Sequence, residues 1–349
     1  KMNFFQNESL IYKKVHIGEL LWDSINIFLL TELPNRYRMM IAIKKYLTKH
    51  NPLAVWYCTI SFPEDVFIYD ELKNKNILKI HWPVVGAYTS LNPYNNQQIP
   101  IDLSFAVSAN QKKIIQDVKY YCKSGVKKIA VTGAYSHVPL KDFIEKYNRK
   151  ESKDFLNIPN NFSMYILYDP GYILRGYLSS SEQIKTLELL FNFVKNNNQI
   201  ALIIKPHPNH KSGSLEALIK YHNLKNTFLV DKKMLPYHAI NSADFIITKS
   251  SIIGFDSMYF NRPIISTLFD KEDQFKVYQD AAEYIFEYDS LKNILEKLKD
   301  NNFRSHWTSE LNFRSKKLLK SLNSKELKSP YDIAAREIDA LIEEQRNNN

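Results

Sequence analysis

Residues 199–209 read QIALIIKPHPN, a run of apolar residues that ends in Lys205-Pro206-His207-Pro208. An apolar run of this length, followed at once by prolines, is typical of a buried strand that ends in a turn. The two prolines fix the backbone on both sides of His207. In an open parallel sheet, ligands bind beyond the carboxyl ends of the strands. The pattern therefore predicts a turn that presents Lys205 and His207 to an anionic ligand, although a stiff surface turn is the alternative.

A second stretch, residues 243–257, reads ADFIITKSSIIGFDS and predicts another strand, then Ser250 and Ser251, then a helix. Hydroxyls and free N–H groups at a helix N-terminus form an anion site. Asp256 would lie about one turn into that helix, where a carboxylate can bond ribose hydroxyls. The alternative is an ordinary helix cap at Ser251, with Asp256 on a solvated face.

Around these two stretches, short apolar runs alternate with helical patterns along the whole chain. Alternation of this kind predicts an α/β fold built from parallel β-α-β units. The polar segment 148–162 is the predicted linker between two β/α domains, residues 1–155 and 156–327, which would face each other across a cleft. We expect the C-terminal helix, residues 328–345, to pack back on the first domain. The predicted strands are residues 53–58, 77–80, 105–108, 128–133, 164–168, 199–204, 227–230, 245–248 and 263–266.

Composition excludes several classes of protein. The 349 residues include only 8 glycines, and none of them form G-x-G-x-x-G or a Walker loop, so nucleotide folds with glycine-rich phosphate loops are excluded. The net charge of +10 comes from dispersed lysines, which argues against nucleic acid as a partner. The surplus suits an anionic substrate and is compatible with peripheral contact with an anionic membrane.

The cysteines and the apolar runs bear on whether the protein binds zinc and where in the cell it is found. Cys58 and Cys122 stand alone, without the His/Cys clusters of a zinc site, so no metal is predicted. No run of about 18 apolar residues is present, as a membrane span would require. The start of the chain lacks a secretory pattern. These features predict a cytoplasmic protein, with peripheral attachment at the inner membrane left open.

Taken together, the His-Pro and Ser-Ser elements resemble the HP and SS motifs of bacterial GT-B glycosyltransferases that use CMP-activated donors. These include sialyltransferases and the Kdo transferases of capsule and lipopolysaccharide assembly. Residues 243–270 also resemble the CDP-glycerol:polyol-phosphate transferases. In both groups these elements hold the phosphate of the cytidine nucleotide, which implies that role for His207, Ser250 and Ser251. The predicted donor-binding set also includes Lys205, Pro208, Gly171 and Asp256.

Three carboxylates are candidate catalytic groups beside His207. Residues 15–23 read VHIGELLWD and resemble an I-G-D-L-x-Y-D motif of surface-carbohydrate biosynthesis proteins. Glu19 and Asp23 share one helix face, so either is a candidate base for an acceptor hydroxyl or part of a solvated pair. Asp169 with Gly171 is loosely similar to an acidic catalytic motif of sialyltransferases. It is therefore either the nucleophile of a retaining enzyme or part of an Asp-Pro-Gly turn.

Two further features concern groups near the predicted cleft. Arg175 is placed to pair with a sugar carboxylate. His81 and Trp82 follow a first-domain strand, and we expect them to line the cleft.

The resemblance implies an enzyme, a GT-B glycosyltransferase of surface polysaccharide assembly. Its donor would be a CMP-linked nonulosonic or ulosonic acid such as sialic acid or Kdo, and its acceptor a surface glycan or a lipid-linked glycan. The absence of a D-x-D motif fits a metal-independent reaction without a cofactor. Three alternatives stay open: a CDP-glycerol or CDP-ribitol polyol-phosphate transferase, a UDP-sugar transferase or 2-epimerase, and a non-catalytic binding subunit.

Overall fold

The protein is described here by a computed structural model. It describes residues 11–12, 15–16, 28–50, 52–57, 68, 71–72, 75–82, 101–117, 126–133, 137–171, 180–208, 213–269, 276–322 and 329–347. Glu19, Asp23 and Arg175, for which the sequence predicts roles, lie outside the described residues.

The first half of the chain contains a four-stranded parallel sheet. An antiparallel pair, β1 (Ile11–Tyr12) and β2 (Val15–His16), precedes it. The sheet has its strands in chain order, each parallel to the next. All four lie within two residues of the predicted strands. They are β3 (Ala54–Tyr57), β4 (Leu78–His81), β5 (Leu103–Ala106) and β6 (Lys128–Val131).

The second half of the chain contains a six-stranded parallel sheet in the order β9-β8-β7-β10-β11-β12. The chain builds outward from β7 to β9 and then returns to place β10 on the other side of β7. The carboxyl ends of β7 and β10 therefore form the topological switch point of the sheet, where ligands bind in open α/β folds. The strands are β7 (Met164–Tyr168), β8 (Ile200–Ile204), β9 (Thr227–Leu229), β10 (Phe245–Thr248), β11 (Ile264–Thr267) and β12 (Ala282–Ile285).

Helices cover the two sheets and confirm the predicted α/β class. The predicted strands of this half are all present, whereas β12 and the long helix α10 were not predicted. The described helices are α1 (Leu33–His50), α2 (Ala109–Asp117), α3 (His137–Lys146), α4 (Arg149–Phe155), α5 (Ser180–Lys195), α6 (Ser214–Tyr221), α7 (Tyr237–Ser242), α8 (Ile252–Tyr259), α9 (Tyr288–Lys297), α10 (Asn301–Leu322) and α11 (Pro330–Asn347).

The segment predicted as a linker begins with a helix. Asn148 and Glu151 form a reciprocal capping box at the start of α4, which supplies a helix N-terminus with partners for its free N–H groups. Ser152 on α4 is buried and accepts a hydrogen bond from the Asn241 side chain on α7 at 3.0 Å. The linker prediction is therefore wrong for residues 148–155, because polar residues that looked solvated are caps and buried partners.

Helices α3 and α4 belong with the second sheet by their packing. Leu140 of α3 is fully buried in the same apolar cluster as Leu167 of β7 and Ile246 of β10. We therefore place the change from the first to the second unit between β6 and α3, ahead of the predicted boundary at residues 155 and 156.

Helix α11 returns to the first sheet. Ala334 and Ile338 pack in the cluster formed by β4 and β5, and Lys128 Nζ on β6 lies 2.8 Å from a carboxylate oxygen of Glu337.

The two units meet at the carboxyl edge of the first sheet. Val107, which directly follows β5, is buried against Phe255 and Met258 of α8 and against Tyr278. This contact places the carboxyl end of β5 beside the helix that follows β10. The first unit therefore meets the second next to the switch point of the second sheet.

Candidate functional site

The switch point brings together most of the predicted donor-binding residues. Asp169 follows β7, Lys205 and His207 follow β8, and Ser251 follows β10. These three strands are neighbours in the sheet, so the three turns lie at one edge. The Asp169 carboxylate acts electrostatically on both Lys205 and His207.

Ser251 is the N-cap of α8. Its backbone is extended at φ −75° and ψ 154°, and its Oγ accepts a hydrogen bond from the Ile253 N–H at 3.4 Å. The helix thus starts where the sequence predicted, with its N-terminal N–H groups directed toward the cleft end of the sheet. Ser250, one residue earlier, is exposed. This arrangement can receive an anion, because a helix N-terminus carries partial positive charge.

Asp169 is the centre of a buried hydrogen-bond network. Its side chain accepts from the Gly171 N–H at 3.0 Å and from the Thr248 hydroxyl at 3.2 Å, and it also pairs with the Ser251 hydroxyl. Only 3% of Asp169 is exposed, and burial raises its pKa while the hydrogen bonds oppose that rise. A carboxylate enclosed in this way ties the turn after β7 to the turn after β10.

This geometry corrects two predicted roles. Asp169 was a candidate nucleophile, but it is only 3% exposed and its carboxylate already accepts hydrogen bonds from Gly171, Thr248 and Ser251, which disfavours that role. Gly171 was predicted to bind the donor, but its N–H is directed at Asp169. The alternative of an Asp-Pro-Gly turn describes what the structure shows, and Gly171 suits it because its φ of 70° is in the left-handed region.

Lys205 also differs from its predicted role. Its Nζ donates to the carbonyl oxygens of Pro206 at 2.9 Å and of Lys232 at 3.1 Å, and burial lowers its pKa. The amine therefore joins the turn after β8 to the turn after β9, and its contacts are with backbone carbonyls rather than with a position for a phosphate.

His207 is partly exposed, as a ligand-binding group needs to be, and Pro208 is exposed. Burial lowers the pKa of His207, and Asp169 opposes this effect.

Asp256 is neither on a solvated face nor open to a ribose. Only 6% of it is exposed, and burial raises its pKa to about 7. In the described part of the chain, its Oδ1 has no hydrogen-bond partner. Its charge bears on Tyr237 and Tyr278, whose pKa values it helps to raise. Burial of the carboxylate disfavours the predicted ribose contact, which stays a prediction.

Tyr278 is a site residue that the sequence did not indicate. It is fully buried, and its hydroxyl donates to the backbone carbonyl of Ser251. Its ring covers Gly254 so closely that a Cβ there would overlap it. Tyr278 thus fixes the first turn of α8 from outside the helix. The residues around Tyr278 form no recognisable sequence motif, so its role follows only from its tertiary contact with Ser251.

The carboxyl edge of the first sheet carries buried aromatic residues instead of polar turns. His81 Nδ1 lies 3.2 Å from Ser104 Oγ, and burial lowers the pKa of His81 to about 4. Trp82 is buried and stacks on Trp56, with ring centroids 5.0 Å apart. The prediction that His81 and Trp82 line the cleft places them at the correct edge, but their rings pack inward.

Within the described residues, no three His, Cys, Asp or Glu side chains are grouped as a metal site would require. No described helix has both the length and the apolar character needed to cross a membrane.

Comparison with known families gives one match, over residues 91–300. The matching family is described as CDP-Glycerol:Poly(glycerophosphate) glycerophosphotransferase. That range includes β5, β6, the second sheet and every switch-point residue described above. No curated protein matches the sequence significantly.

Several solved structures share the fold. The S. aureus MnaA–UDP co-structure has a TM-score of 0.57 at 14% identity, over 83% of this chain and 80% of that chain. The wall teichoic acid polymerase TagF has a TM-score of 0.53 at 15% identity, over 84% and 74%. UDP-GlcNAc 2-epimerase from Neisseria meningitidis bound to UDP-GlcNAc has a TM-score of 0.54 at 13% identity, over 82% and 80%. These matches confirm the GT-B architecture of two Rossmann-like units.

Proposed function

The chain belongs to the CDP-glycerol:poly(glycerophosphate) glycerophosphotransferase family, and we propose that it moves a polyol phosphate from a CDP-linked donor to an acceptor hydroxyl. It is a transferase, as the sequence predicted. The donor that the family description names is CDP-glycerol. CDP-ribitol is a similar donor with a longer polyol. The acceptor is a polyol phosphate or glycan of the cell surface.

The reaction breaks one bond and forms one. The acceptor hydroxyl attacks the phosphorus that carries the polyol, and a new phosphodiester forms. The bond from this phosphorus to the oxygen it shares with CMP breaks, and CMP leaves with that electron pair. The hydroxyl proton passes to a base. The site must therefore stabilise the negative charge that develops on the phosphate of CMP.

The residues at the switch point suit that task. The observation that carries the proposal is the N-terminus of α8, which Ser251 caps and which Asp169 and Tyr278 hold in place. Preorganised donors of this kind stabilise charge without reorganising during the reaction. Ser250 and His207 stand at the same edge and are exposed or partly exposed, so they are the side chains we assign to the leaving phosphate.

The family match favours the polyol-phosphate transferase over the CMP-sugar transferase of the sequence prediction. In both reactions the leaving group is CMP, so the sequence motifs that bind the CMP phosphate do not distinguish one reaction from the other. The two differ only in the atom attacked, a phosphorus in one case and a sugar carbon in the other. The burial of Asp169 supports the same choice, because a carboxylate held by three hydrogen bonds is poorly placed to act as the nucleophile of a retaining sugar transfer. The acceptor base is not assigned, because Glu19 and Asp23 lie outside the described residues.

A donor screen tests this proposal. Purified protein would be incubated with a teichoic-acid-type acceptor and with CDP-glycerol, CDP-ribitol, CMP-sialic acid, CMP-Kdo or UDP-GlcNAc. We expect release of CMP from a CDP-polyol, together with a new phosphodiester signal in ³¹P NMR. The Ser251→Ala variant should bind CMP more weakly and release it more slowly.

Other results of the same screen would overturn the proposal. Release of CMP from a CMP-sugar without a new phosphodiester would restore the sugar-transferase reading. Turnover of UDP-GlcNAc would favour the UDP-sugar alternative. Calorimetric titration with CMP and UDP tests the UDP-sugar alternative independently of turnover, and we expect the tighter binding to CMP.

A further inference from the structure

Asp256 is a buried carboxyl group to which the proposed reaction assigns no role. It lies on α8, five residues after the N-cap Ser251, and only 6% of it is exposed. In the part of the chain that the structure describes, its Oδ1 has no hydrogen-bond partner. An ionised carboxylate in such a place costs far more than a neutral carboxyl group, so the fold favours the protonated form.

The elements around α8 give Asp256 no compensating positive charge. Two tyrosines, Tyr237 of α7 and Tyr278, are close enough to be affected by its charge. Helix α3 contributes Phe143 and helix α10 contributes Leu318 to the apolar clusters that pack against α8. Among the described residues, no cation and no second carboxylate contributes to the pKa of Asp256, which burial raises to about 7. The group is therefore poised to gain or lose a proton when the charge near it changes.

Asp256 and the anion site share one short helix. At a rise of about 1.5 Å per residue, Asp256 lies roughly 7.5 Å from Ser251 along the helix axis. The N-terminus of α8 favours a phosphate through its partial positive charge, and an ionised carboxylate so close to it opposes that effect. Two unit charges on the order of 10 Å apart in a partly buried site interact strongly enough to change an affinity about tenfold.

We propose that Asp256 is a positioning residue that must hold a proton for the donor phosphate to bind tightly at the N-terminus of α8. The inference rests on the proposed function, which places the phosphate of CMP at that helix end. Binding of the phosphate draws a proton from solvent onto an Asp256 oxygen, and release of CMP returns the proton to solvent. The neutral carboxyl group leaves the positive potential of the helix to the phosphate.

Calorimetry in two buffers measures this proton directly. CMP would be titrated into the full chain at about pH 7.5, in one buffer of low and one of high ionisation enthalpy, and the difference in heat gives the protons taken up. We expect the wild type to take up about half a proton more than Asp256→Asn. Asparagine has nearly the shape of aspartate and does not titrate, so protons gained by His207 or by CMP itself cancel in this difference.

The affinity for CMP as a function of pH is the second readout. At about pH 6 the wild type and Asp256→Asn should bind CMP equally, because the carboxyl group is protonated there. At about pH 9 Asp256→Asn should bind roughly tenfold more tightly, because only the wild type then carries the opposing charge. Asp256→Ala, which cannot ionise either, should show the same pH dependence as Asp256→Asn. A residue needed only for packing would not give tighter binding when it is replaced.

Asp289→Asn is the matched control. Asp289 is exposed in the first turn of α9, so this variant removes the same charge from the start of another helix. It should take up as many protons as the wild type and follow the wild-type affinity at every pH.

Three results would overturn the inference while CMP still binds. They are equal proton uptake by the wild type and Asp256→Asn, a constant ratio of their affinities from pH 6 to 9, and an equal effect of Asp289→Asn, which would assign the change to net charge. Failure of the folded wild type to bind CMP is a different result, because it overturns the proposed function and this inference with it.

Discussion

The carboxyl edges of the two sheets are built from the same topology but end in different residues. Beyond the second sheet, Asp169, His207 and Ser251 form a polar edge with fixed hydrogen bonds. At the carboxyl end of the first sheet, Trp82 stacks on Trp56 of β3, and His81, the last residue of β4, is buried. Parallel β/α topology provides an edge where a ligand can bind, and the residue types after each strand decide whether that edge receives an anion.

The largest expected effect comes from breaking the centre of the polar edge. Asp169→Asn keeps the shape of the side chain but replaces one acceptor oxygen with a donor, so it no longer accepts from all its present partners. We expect kcat/KM to fall about 100-fold or more, since displaced donors of this kind cost that much in other enzymes. Steady-state assay with CDP-glycerol measures the loss.

Asp231→Asn is the matched control for that substitution. Asp231 is exposed just beyond β9, where its carboxylate accepts a hydrogen bond from the Lys233 N–H at 2.8 Å. Near wild-type turnover in a stably folded Asp169→Asn protein would show that the polar edge does not depend on this carboxylate.

The second prediction concerns His207, a partly exposed residue of the polar edge. His207→Ala should cost about 2 kcal/mol of transition-state stabilisation, or roughly 30-fold in kcat/KM. His222→Ala is a suitable comparison, because His222 ends α6 on the amino side of the same sheet. If both variants keep wild-type rates, His207 does not contact the leaving phosphate.

The third prediction tests how tightly Tyr278 holds α8. Gly254→Ala should lower the free energy of unfolding by about 2 kcal/mol, as overpacking of a rigid core does, because the new Cβ would overlap the buried Tyr278 ring. Gly213→Ala meets open space but sits at φ +89°, so its cost is backbone strain of about 1 kcal/mol. Urea unfolding measures both, and a smaller loss at Gly254 would contradict the proposed packing.

The smallest expected effect is a pH dependence that distinguishes the two edges. Burial raises the pKa of Asp256 to about 7, above its unfolded value, so the folded state binds this proton more tightly. Its contribution is lost as pH rises through 7, by roughly 1 kcal/mol between pH 6 and 8. His81 behaves in the opposite sense, because its folded pKa of about 4 lies below the unfolded value and stability is lost as pH falls.

Unfolding curves at several pH values test this contrast. Asp256→Asn should remove the loss of stability above pH 6. Between about pH 4 and pH 6 the Asp256 proton offsets the effect of His81, so the variant should lose more stability than the wild type as pH falls through that window. A wild-type protein whose stability does not change between pH 6 and 8 would show that Asp256 is not buried in its acid form.

Much of the site could be predicted because its main elements are local in sequence. A strand followed by Lys205-Pro206-His207, and another followed by Ser250-Ser251 and a helix, are patterns that short-range geometry determines. Lys205 shows the limit of this reasoning. Its position was predicted, but the direction of its amine depends on the Lys232 carbonyl in another turn.

The sequence by itself determined the α/β class, the strand positions around the motifs and the place where α8 begins, since periodicity and capping act over a few residues. Only the tertiary structure decided that Asp169 is a buried organiser, that Tyr278 holds Ser251, and that residues 148–155 pack on the second sheet. Those outcomes depend on contacts between segments many residues apart, such as Asp169 with Thr248. Burial, which sets the pKa of Asp169 and Asp256, exists only once such distant segments have packed together.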